Sequence, residues 1–81
     1  MEVVVMPPGV GGNQGYMISR DRPSFAFATE DGNWVDFTSK HEAVQFLNAG
    51  DAIEFAETQG WTVMNKRNST SLVDVPMDRW L

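Results

Sequence analysis

Apolar and polar positions divide this chain into short segments of differing period. Glu2 to Met6 is a β-branched run that reads as a strand, stopped by Pro7-Pro8 and a stretch with four glycines between Gly9 and Gly15. Gly15 to Arg20 follows as a second strand with Tyr16 and Ile18 on one face. Asp21-Arg22-Pro23 turns the chain, because proline presets one backbone angle and cannot extend a hydrogen-bonded ladder. Ser24 to Thr29 then alternates, with Phe25 and Phe27 on the same side. Glu30-Asp31-Gly32-Asn33 carries the Asp-Gly signature of a tight hairpin, so Asn33 to Phe37 is expected to return antiparallel.

The period then lengthens. Ser39 and Glu42 have the spacing of a capping box, and Ala43, Val44, Phe46 and Leu47 supply an apolar helical face ending near Gly50. Asp51 and Glu54 repeat the device for a second helix through Ala52, Ile53, Phe55 and Ala56, with Gly60 placed to close it. One straight helix over 40–59 would set Phe46 and Ile53 nearly opposite Val44 and Phe55, so two short helices are predicted. Trp61 to Asn65 reads as a strand, 66–71 as a polar loop, Leu72 to Val75 as an edge strand and Met77 to Leu81 as an apolar tail. The expectation is a single α+β domain over 1–81, an antiparallel sheet of four or five strands with two short helices on one face.

Length makes packing efficiency decisive, since a chain of 81 residues buries only about 60 to 65% of its unfolded surface. Nine aromatic residues and no cysteine imply a core held by packing alone. The lack of cysteine fits a reducing compartment, no run has the length of a signal peptide or membrane span, and a complete cytoplasmic protein beginning at Met1 is expected.

Charge sharpens this picture. The formal charge is −5, yet residues 30–57 hold Glu30, Asp31, Asp36, Glu42, Asp51, Glu54 and Glu57 against Lys40 alone. Such a field attracts basic partners and repels phosphate. Lys66, Arg67 and Arg79 are too few to neutralise several phosphates, so direct nucleic-acid binding is disfavoured. Gln14 stands where a dinucleotide loop needs glycine, and no Gly-Lys-Ser/Thr follows, so the glycine stretch reads as a recognition loop. The single histidine, His41, has no nucleophile in reach of its sequence neighbours, and Asp51, Glu54 and Glu57 suit a solvated helix face better than a metal. No catalytic residue, cofactor or metal is therefore assigned. Trp34 is expected in the core, and Trp80 beside Arg79 as an interface anchor.

Phe37-Thr38-Ser39-Lys40-His41-Glu42-Ala43-Val44-Gln45-Phe46 and Asp51-Ala52-Ile53-Glu54-Phe55-Ala56-Glu57-Thr58-Gln59-Gly60-Trp61 together resemble the strand-helix-strand segment of the 18 kDa accessory subunit family of NADH dehydrogenase. That family has one helix where two are predicted here, and the likeness reads as local convergence on a common helix pattern. In size, charge and lack of catalytic groups the chain resembles small acidic phage proteins that inhibit host machinery, anti-CRISPR proteins among them. The resemblance implies non-catalytic inhibition or modulation of a larger protein or ribonucleoprotein with a basic surface, through Glu30, Asp31, Asp36, Glu42, Asp51, Glu54, Glu57 and Trp80. The alternative is a structural accessory subunit of a stable complex. An edge strand leaves a homodimer open.

Overall fold

A computed structural model describes residues 1–9 and 13–65. Five strands, β1 (Glu2–Met6), β2 (Met17–Arg20), β3 (Ala26–Ala28), β4 (Trp34–Val35) and β5 (Thr62–Val63), form one sheet in the order β4-β3-β2-β1-β5. A 3-10 helix (Phe37–Glu42) and an α-helix, α1 (Ala49–Thr58), complete an α+β fold. The strand predicted over Leu72 to Val75 and the Met77 to Leu81 tail lie outside the described residues.

Three of the four strand pairings are antiparallel, as the hairpin signals imply, but β5 joins β1 in parallel. The sheet is therefore mixed. The cause is α1, which carries the chain back along the sheet so that β5 starts from the same end as β1, as a crossover helix does.

Register divides the residues between two faces. Val3, Val5, Ile18, Ala28 and Val63 point to the side that α1 covers with Ala49, Ala52, Ile53 and Ala56. On the other side Val4, Ser19, Phe27 and Val35 sit in register across four strands, with Met6 opposite Met17. The continuous valine run of β1 thus splits, Val3 and Val5 inward against α1 and Val4 outward. Alanines at every inward position of α1 but Ile53 let the helix approach the sheet closely.

The first predicted helix does not form as such. Asp36 caps a 3-10 helix that stops at Ala43, and Val44 donates its N–H to the Ala28 carbonyl at 3.0 Å. Phe46 exchanges both backbone hydrogen bonds with Tyr16, each 2.8 Å, extending the sheet's pairing past β2. Long-range ladder bonds have replaced the local helix that Ser39 and Glu42 could have begun. The two helices also divide between faces, for Phe37 leans on Phe27 and Ala43 is buried with Met17 and Phe27 away from α1.

The second helix starts three residues earlier than the Asp51 cap implied. Asn48 is the cap: its Oδ1 accepts the Asp51 N–H at 2.8 Å while its Nδ2 donates to the Asp51 carboxylate at 3.3 Å. Gly60 ends the helix as predicted, with φ +85° and its N–H on the Glu57 carbonyl, while Trp61 N–H reaches the Ala56 carbonyl.

Candidate acidic cleft

The hairpin between β3 and β4 is built on Thr29. Its carbonyl accepts the Gly32 N–H at 3.0 Å, its N–H donates to the Asn33 carbonyl, and its hydroxyl oxygen accepts the Asn33 N–H. Only Gly32 takes a positive φ, +80°, so Glu30 and Asp31 occupy an ordinary turn and Gly32 supplies the bulge that closes it. Both carboxylates consequently project from the tip, exposed. The bond from Val44 to Ala28 draws the end of the 3-10 helix beside this turn. Between them lies an open cleft of about 430 Å³, lined by Glu30, Asp31 and Asn33 on one wall and Glu42, Ala43 and Val44 on the other.

Three predicted carboxylates from two separate elements are thus brought together: Glu30 and Asp31 from the hairpin turn and Glu42 from the end of the 3-10 helix. The others are placed differently. Asp36 accepts the Thr38 hydroxyl at 2.6 Å and the Ser39 N–H at 3.2 Å, and these bonds, the hydroxyl first, lower its pKa below the ordinary aspartate value. Its carboxylate is committed to the helix start. Asp51 is held by Asn48, while Glu54 and Glu57 lie with Asp51 on the exposed stripe of α1 opposite its buried alanines. Trp80 lies outside the described residues. His41 is exposed, and no group of three or more histidine or acidic side chains among the described residues is placed to hold a metal.

Several structurally decisive residues were not singled out by sequence reasoning. Gln45 Oε1 accepts the Gln14 and Gly15 N–H groups at 3.2 and 2.8 Å, fixing the end of the glycine stretch against the extended segment. Asn13 is buried, donating to the Pro7 and Gly15 carbonyls, and its Oδ1 has no hydrogen-bond partner among the described residues. An aromatic row runs from Phe46 to Phe55 to Trp61 to Trp34, at ring separations of 5.4, 6.1 and 4.8 Å, ending with the Arg20 guanidinium 4.8 Å over Trp34. Trp34 is therefore on the core side with α1, as expected. The available signal was the spacing of Trp61 behind Gly60, which a helix-closing glycine directs back onto the body of the domain.

No helix among the described residues is long and apolar enough to cross a membrane. No family model, curated protein or solved structure matches the chain.

Proposed function

We propose that the protein is a non-catalytic binding module that inhibits or modulates a larger assembly by docking its acidic cleft on a basic surface. The observation that carries this reading is the convergence of Glu30, Asp31 and Glu42, from a hairpin tip and a helix end, on one open cleft. Carboxylates so placed keep their hydration until a cationic side chain enters, and then act together. Electrostatics of this kind sets encounter rate and partner choice more than final affinity. The exposed stripe of Asp51, Glu54 and Glu57 widens the negative field that a basic partner meets. Ribonucleoproteins are included among such partners, because their proteins present basic grooves.

The test is capture from the native cell with the tagged chain, comparing wild type with the triple variant Glu30→Lys, Asp31→Lys, Glu42→Lys. These side chains are exposed, so the variant should fold with wild-type stability to within about 0.5 kcal/mol. The wild type is expected to retain a defined partner that elutes as salt rises, and the variant to bind it at least about tenfold more weakly, from about 0.2 to 1 kcal/mol for each exposed pair lost and repulsion from the charges introduced. Equal capture by both would overturn the reading. A partner held in fixed ratio through high salt would point instead to an accessory subunit.

A further inference from the structure

The face of the sheet away from α1 carries an aromatic strip. Phe27 lies at its centre, 2% exposed, with Phe25 edge-on at 5.1 Å and Phe37 at 6.1 Å. The two flanking rings are 44% and 62% exposed, and the exposed Val4 and Met64 extend the apolar surface across β1 to the end of β5. The pairing of Val4, Ser19, Phe27 and Val35, continued by two residues, sets Glu2 beside Asp21, Asp21 beside Phe25 and Phe25 beside Phe37. One row thus runs from two carboxylates through two exposed rings to the Lys40 ammonium, 5.4 Å from the centre of the Phe37 ring. Glu2 and Asp21 line an open depression with Arg22 and Met64, so carboxylates outnumber side-chain cations at that end.

We propose that this face pairs with the same face of a second copy of the chain, about a two-fold axis lying between the two sheets. A two-fold contact must be self-complementary, each patch meeting its own reverse. The row meets that condition. Turned end for end, the row of the second copy lays its Phe37 over Phe25 of the first and brings its Lys40 toward Glu2 and Asp21. The same contacts repeat at the other end. None of Glu30, Asp31 and Glu42 is required for this pairing, so it stands apart from the reading of the acidic cleft.

Area agrees with a weak association. Phe25, Phe37, Val4 and Met64 together leave roughly 350 Å² of apolar surface in water, the size at which a patch on a monomer is often functional. With their polar border, two such faces bury about 1,000 Å², the lower bound for a specific interface. A dissociation constant of roughly 10 to 100 µM is expected for a contact of this size. Net charge does not forbid it. Although each chain carries −5, Asp51, Glu54 and Glu57 lie on α1 behind the sheet. Pairing the opposite faces leaves the two acidic stripes roughly 30 Å apart, several Debye lengths at physiological salt.

Sedimentation equilibrium of the purified chain should show its mass rise from 9.1 kDa toward twice that value as concentration increases. A range from about 1 µM to about 1 mM brackets the expected constant. Phe37→Ser should weaken the dimer at least about tenfold, since each copy buries that ring. Should it fail to fold, Phe25→Ser replaces it. Lys40→Glu should weaken the dimer about three- to tenfold, and adding Asp21→Lys to that variant should restore it to within about twofold of wild type. A monomer throughout the range, a dimer unmoved by loss of the ring, or a charge reversal that Asp21→Lys fails to repair would overturn the proposal.

Discussion

Individual residues carry unequal constraints here, and the glycines show it. An added Cβ at Gly60 meets nothing within 4 Å, so Gly60→Ala should cost only the left-handed backbone, roughly 1 to 2 kcal/mol. At Gly15 the same atom would stand 2.8 Å from the Phe46 carbonyl oxygen, which is itself bonded to Tyr16. Backbone there cannot yield without breaking the pairing that replaced the first helix. Gly15→Ala should therefore destabilise more than Gly60→Ala, and urea denaturation of the two variants measures the difference. Asp36 gives a pH-dependent counterpart. Because its folded pKa is lowered, the stability it contributes is present above the ordinary aspartate value and is lost as pH falls through the lowered one. In an NMR titration its carboxyl midpoint should lie below the ordinary value, and Thr38→Val should move it upward.

Elements are decided where local signals compete with the sheet. Two capping boxes of similar appearance were legible, Ser39 with Glu42 and Asp51 with Glu54, yet neither caps a helix. Asn48 does so for α1, and its amide signal lay hidden behind the more obvious acids. The prediction is direct: Asn48→Ala should cost about 1 kcal/mol and Ser39→Ala less than about 0.5, since the Ser39 contribution to its cap is a backbone N–H. Thermal unfolding of both variants distinguishes them. The hairpin at Gly32, the close of α1 at Gly60, the faces of Tyr16, Ile18, Phe25 and Phe27, and the α+β class were all readable because each depends on neighbours in sequence. What was not readable depends on distant partners: the segment Val44 to Phe46 is extended because Ala28 and Tyr16 accept it, and β5 is parallel because of where α1 delivers it.

At the scale of the molecule the two faces of the sheet have different tasks. One buries α1 and the aromatic row, and the other presents the Phe25–Phe27–Phe37 strip; the acidic cleft opens where the hairpin turn meets the end of the 3-10 helix. The cleft was only partly legible from sequence, since the concentration of acids in residues 30–57 was plain but their division was not. Asp36 and Asp51 serve helix starts, and Glu30, Asp31 and Glu42 remain exposed along the cleft. A charge count alone cannot separate carboxylates that hold the chain from those that meet the outside.

Beyond β5, an incoming strand from another molecule would need the next free backbone groups of β1, and the carboxamide of Asn65 already occupies the Val5 pair. One side chain thus acts as a plug against polymerisation along that border of the sheet. Asn65→Ala should leave those two groups seeking partners, and light scattering should then rise with protein concentration past the level of a dimer, where the wild type stops.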